Sequence, residues 1–154
     1  MTIDQTMEAK RAAVSLLSIR DYSTEELKQR LNEAGFDEES AAVAIAYTQE
    51  KGWQSDEKIA EMLIDRLTQI RPSGDAKIID EFQSRGLKPP PTERLPSELD
   101  RACLALAQKY GDARFDAKAL QRWRLFLSGR GFLPDVIDEA IHRWRPGLLD
   151  AVDA

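Results

Sequence analysis

Glu25–Phe36 reads EELKQRLNEAGF, and the phrase returns as AKIIDEFQSRGL at Ala76–Leu87 and as ALQRWRLFLSGRGF at Ala119–Phe132. With Gly35, Gly86 and Gly131 aligned, apolar side chains stand four and eight positions before each glycine: Leu31 and Leu27, Phe82 and Ile78, Leu127 and Trp123. Another follows each glycine directly, as Phe36, Leu87 and Phe132. A spacing of four puts side chains on one helical face. A glycine just past the last turn supplies the left-handed stop. The glycines lie about 51 and 45 residues apart, a period suited to units of two or three helices.

The flanking segments complete such units. Apolar positions Ala13, Leu16 and Leu17 predict a helix over Ala9–Ile19. Ser23-Thr24-Glu25-Glu26 is a capping box that opens the phrase helix, and Asp37 caps a third helix that ends at Gly52. A second unit restarts at Ser55-Asp56, breaks at Pro72-Ser73-Gly74, and reopens at Ser73 or Asp75. Lys88-Pro89-Pro90-Pro91 then prevents continuous helix, leaving at most one turn around Thr92–Leu95. The third unit has helices from Ser97 or Glu98 to Tyr110, from near Asp116 to Ser128, and from Pro134, which suits a first helical position. No segment alternates as a strand does. The expectation is an all-α fold, an elongated tandem array of three-helix repeats whose middle member is truncated. Its parts are a flexible N-terminus over 1–8, repeats over 9–53, 54–96 (with a proline-rich connector at 88–96) and 97–146, and a flexible C-terminus over 147–154.

The net charge of −5 argues against binding nucleic acid through bulk positive charge. Its distribution is uneven: residues 1–65 hold seven Lys/Arg against fourteen Asp/Glu, and residues 66–154 hold fifteen against thirteen. Cys103 is the single cysteine, which excludes an intrachain disulfide, and its apolar surroundings suit a small buried hydrophobe. No run approaches the roughly 18 apolar residues of a membrane span, and the N-terminus lacks a signal-peptide core. A cytoplasmic protein is expected. His142 is the only histidine, so no HExxH metal site or histidine pair exists. Glu25-Glu26 and Glu38-Glu39 sit at helix starts, where the helix dipole accounts for them. No phosphate loop is present. The chain reads as a non-enzyme with no metal and no cofactor. Trp53, in the position after a helix stop, and Trp123, in a repeat position, are both expected to pack in the core.

Several motifs, in order, resemble the RecX family of regulatory proteins. LLSIRDYSTEELKQRLNEAGF is similar to its opening signature through Arg20, Tyr22, Ser23, Glu26, Leu27, Arg30, Leu31 and Gly35. EKGWQSDEKIAEMLIDRL matches through Gly52, Trp53, Asp56 and Ala60, and SGDAKIIDEFQSRGL through Gly74, Lys77, Ile78, Glu81 and Gly86. The segment from Leu106 to Ile141 is similar to the C-terminal part of proteobacterial members. The chain departs from the pattern at Lys88–Ser97, which replaces most of a helix, and at Asp75, where many members are basic. The resemblance covers about residues 9–145. It implies binding, as a monomer, in the groove of a RecA filament on single-stranded DNA, with inhibition of strand exchange, ATP hydrolysis and co-protease activity, and with direct DNA contact at most weak. The signature and the basic clusters together nominate Arg20, Tyr22, Glu26, Arg30, Arg66, Lys77, Arg85, Arg122, Arg124, Arg130 and Arg143 as partner-binding residues. A small helix-turn-helix-like DNA-binding module and a generic helical adaptor are the alternatives.

Overall fold

The computed structural model describes residues 3–111 and 116–145. The helices are α1 (Ile3–Ile19), α2 (Thr24–Glu33), α3 (Glu38–Glu50), α4 (Asp56–Asp65), α5 (Asp75–Ser84), α6 (Glu98–Tyr110), α7 (Ala119–Gly129) and α8 (Pro134–Trp144). A π turn over Arg66–Ile70 extends α4, and a 3-10 turn over Thr92–Arg94 is all that the connector forms. The fold is all-helical, with no strand among the described residues. The segment expected to be a flexible C-terminus, 147–154, lies outside them. Helix α1 begins six residues before the expected Ala9, at Ile3.

Glycine stops end α2, α3 and α5, and α7 terminates the same way. Gly35, Gly52, Gly86 and Gly131 all have positive φ, between 69° and 98°. Each is followed by a residue whose N–H reaches back to the carbonyl five positions earlier: Phe36 to Leu31, Trp53 to Thr48, Leu87 to Phe82 and Phe132 to Leu127, at 2.9–3.2 Å. That bond, paired with one from the glycine itself, satisfies the carbonyls a helix end leaves open. At the other ends, Ser23 forms the full capping box with Glu26. The Asp37 carboxylate accepts from the Ser40 N–H at 2.7 Å, and the Ser97 hydroxyl accepts from the Asp100 N–H at 3.1 Å.

The chain divides into two compact units, Met1–Met62 with Phe82–Lys88 and Leu63–Glu81 with Pro89–Ala154. In the first, α1 packs mainly on α3 around Ala9, Ala13, Leu27, Leu31, Ala41, Ala44 and Ile45. Alanines on the facing sides allow the helix axes to approach closely. In the second, α6 packs mainly on α8, and Trp123, Leu127, Leu106, Ile137 and Ile141 fill the centre. All six residues four and eight positions before the phrase glycines are at most 1 % exposed. Trp123 is fully buried as expected, with its ring edge-on to Trp144 at 5.0 Å. Trp53 is not: half of its surface is exposed, with its ring edge-on to Tyr47 at 6.0 Å and bordering a hollow lined by Val14, Leu17 and Ser18.

Candidate partner-binding surfaces

Four of the eleven nominated residues meet in one network of the first unit. The Ser23 hydroxyl accepts from the Glu26 N–H at 3.1 Å and donates to the Arg85 carbonyl at 2.5 Å. Glu26 Oε1 receives the Ser23 N–H at 2.9 Å and the Arg85 guanidinium at 3.2 and 3.3 Å. Arg20 approaches the other carboxylate oxygen at 3.6 Å and lies over the Tyr22 ring at 3.7 Å. Burial raises the Glu26 pKa, but the Ser23 N–H, Arg85 and then Arg20 outweigh it and hold the carboxyl below the ordinary value. Tyr22 is only 6 % exposed, so its ring belongs to the core. The cluster fastens the end of α5 onto the start of α2. A Cβ at Gly86 would fall 2.6 Å from that of Glu25, so the seat fits only glycine.

The second unit repeats this seat with different chemistry. Again the carbonyl of the arginine before a phrase glycine sits on the residue preceding an earlier phrase helix: the Gly74 N–H donates to the Arg130 carbonyl at 2.8 Å. A Cβ on Gly74 would collide with the Gly131 carbonyl and lie 2.7 Å from the Phe132 nitrogen. Arg130 donates to the Pro72 carbonyl at 3.2 Å and covers the Phe126 ring at 4.7 Å. Burial, and then the charge of Arg71, hold its pKa below the usual arginine value.

Arg101 was not nominated, yet it is buried and bonded to three partners. It is 1 % exposed and donates to the Ser73 carbonyl, to the Asp75 carboxylate and, at 2.9 Å, to the Pro96 carbonyl. Asp75 is therefore the partner of a buried cation. Helix α5 opens at Asp75, one of the two residues expected to start it. The Asp75 N–H donates to the Glu98 carboxylate at 3.1 Å, while the Ser73 hydroxyl donates to the Arg71 carbonyl. The available signal was position: Arg101 stands beside Ala102 and four before Ala105, both fully or almost fully buried.

Most of the other nominated arginines carry a surface carboxylate partner. The pairs are Arg66 with Glu81, Arg122 with Asp116, Arg124 with Asp138 and Arg143 with Asp100, at 3.1–3.3 Å. Arg30 is exposed on α2 and Lys77 half-buried on α5, with no ion pair among the described residues. Exposed pairs of this type contribute roughly 0–1 kcal/mol, so an anionic partner can displace the carboxylates at little cost. Burial pushes the Cys103 thiol pKa up, away from nucleophilic character. Among the described residues no group of three or more His, Cys, Asp or Glu could hold a metal, and no helix is long and apolar enough to cross a membrane.

Residues 9–47 match the family model described as "RecX, first three-helix domain". The chain is 36 % identical over 135 residues to a protein named Regulatory protein RecX from Mannheimia succiniciproducens, covering 82 % of this chain and 88 % of that one. It is 32 % identical over 138 residues to the protein of the same name from Chromohalobacter salexigens, covering 86 % and 90 %. The crystal structure of RecX from Lactobacillus salivarius superposes with a TM-score of 0.67, over 93 % of this chain and 98 % of that one, at 17 % identity.

Proposed function

Since this chain belongs to the RecX family, we propose that it binds the RecA filament on single-stranded DNA and restrains its recombinase, ATPase and co-protease activities. The observation that carries this reading is the match to proteins named Regulatory protein RecX along nearly the full length of both chains. The geometry agrees with action by binding. Several signature residues are spent on internal seats, and the cations left to a partner are spread over separate helices rather than gathered into one deep site. We assign partner contact chiefly to Arg30, Lys77 and the four arginines whose surface pairs break cheaply, Arg66, Arg122, Arg124 and Arg143. Arg20, Glu26 and Arg85 act by holding the first seat. In this reading the protein is a cytoplasmic monomer of three repeats, over 9–53, 54–96 and 97–146, without enzymatic activity of its own.

The test is RecA-driven ATP hydrolysis and filament lifetime on single-stranded DNA with purified protein, beside binding to free RecA and to naked DNA. Slower hydrolysis, shorter filament lifetime and preference for the filament are expected. Unchanged hydrolysis and lifetime at several-fold molar excess would defeat the proposal. Tight, steeply salt-dependent binding to naked duplex would point to a DNA-binding module.

A further inference from the structure

The first unit carries an apolar cleft that neither seat uses. Met7, Val14 and Ser15 of α1 and Tyr47 of α3 line a depression of about 560 Å³, with Lys10 and Arg11 as its charged residues. An adjoining hollow of about 300 Å³ is lined by Val14, Leu17, Ser18 and Trp53. Met7, Val14 and Trp53 are 48 %, 36 % and 50 % exposed. Trp53 makes the surface unusual. It occupies the position after a glycine stop, whose counterparts Phe36, Leu87 and Phe132 are all partly or fully buried. Side chains there ordinarily fold back on their helix; this one extends the cleft instead. The cations are placed with equal economy. Lys10 stands over the Tyr47 ring at 4.9 Å and Lys51 at 5.7 Å, so two ammonium groups lie near one ring of the cleft.

From this we propose that the α1–α3 cleft docks an acidic amphipathic peptide segment of a partner protein. Its carboxylates would meet Lys10 and Arg11, and its bulky apolar side chains would cover Val14 and Trp53. Charge selects this occupant. The two charged lining residues are both basic, although residues 1–65 hold twice as many acidic as basic residues. Met7, Val14 and Leu17 supply the aliphatic surface that the apolar side chains of such a peptide would cover. A second copy across a two-fold axis would bring Lys10 and Arg11 toward their own equivalents. Exposed tryptophan beside aliphatic hollows is the side-chain type that dominates interface energetics. The inference does not depend on the RecA reading and survives its failure.

The test is a titration of isotope-labelled full-length protein, followed by the Trp53 indole signal and the Val14 and Leu17 amides. The probes are a panel of acidic peptides with leucines at three- and four-residue spacing, the same peptides with lysine replacing each acid, and a thymidine oligonucleotide. The acidic peptides are expected to move these signals, and the Lys10→Glu/Arg11→Glu variant to weaken binding by about ten-fold or more. Val14→Ser, at an exposed position, gives an independent apolar arm and is expected to weaken binding without changing the far-ultraviolet spectrum. Signals unmoved by the acidic panel at millimolar concentration would overturn the proposal. So would equal shifts with the lysine peptides or the oligonucleotide, or shifts that follow protein concentration alone.

Discussion

The seats at Ser23 and at Gly74 solve one problem in two ways. Each must receive the carbonyl of an arginine that precedes a phrase glycine, and each lies where a phrase helix begins. At Ser23 a hydroxyl donates to the Arg85 carbonyl, while a charged trio of Arg20, Glu26 and Arg85 surrounds it. At Gly74 the backbone N–H donates, two glycines lie back to back, and the charge is held by Arg101 beneath the turn. The first seat is polar and partly exposed, so it responds to solvent conditions. The second is steric and buried, and tolerates almost no added atom. A repeated helix phrase therefore does not imply a repeated chemistry at the seats that receive it.

Breaking the second seat gives the largest expected effects. Arg101→Met leaves the Asp75 carboxylate without its cation and strips a donor from the Ser73 and Pro96 carbonyls. Because Asp75 is itself 36 % exposed, the cost is that of the lost charge-assisted bonds, about 1.5–3 kcal/mol for each, measurable by urea unfolding. Should this variant lose less than Arg85→Met, the contrast between a buried and an exposed seat would collapse. Next comes Gly74→Ala, whose methyl would meet backbone atoms of Gly131 and Phe132. Overpacking of this sort costs about 1–3 kcal/mol, seen as a lowered Tm. Gly35→Ala separates sterics from conformation: its φ is +98° but nothing lies within 4 Å, so only left-handed strain of about 1–2 kcal/mol is expected.

Ser23→Ala removes both a cap and the donor to Arg85, with an expected loss of about 1–2 kcal/mol by denaturant titration. The smallest effect is the response to acid. Glu26 has a folded pKa below its ordinary value, so its contribution is complete above roughly pH 4.3. It is lost as pH falls through the lowered value. The Glu26→Gln substitution should flatten the stability profile in that acid range and leave the neutral range nearly parallel. A profile equally steep in the Glu26→Gln variant would assign the acid response to other carboxylates.

Much of the fold was legible because it is written over short distances. The Ser23 capping box, the Asp37 cap, Pro134 at the start of α8 and the glycine stops each involve residues within about one helical turn or two, and all appear where the spacing predicts. The extension of α4 into a π turn was not legible. It closes through Arg71 N–H to the Arg66 carbonyl and Ser73 N–H to the Leu67 carbonyl, a detail that helix periodicity does not encode. The partner surface was legible only as composition. Sequence pointed to eleven residues, and the structure gathers Arg20, Tyr22, Glu26 and Arg85 into one internal network while pairing four other arginines with surface carboxylates.

The sequence by itself determined the helices, most of their ends and the six core positions of the repeated phrase, because hydrogen bonding within a turn and burial at a spacing of four need only neighbours. Tertiary structure alone decided what each charge and each tryptophan does. Glu26 meets Arg85 across 59 positions and Ser23 meets it across 62. Arg101 meets Asp75 across 26. Whether Trp53 turns in or out depends on whether a neighbouring helix offers an apolar site for its ring, and here the ring stays half exposed, edge-on to Tyr47. Charges and rings reach their partners through space, and the chain order does not record those distances.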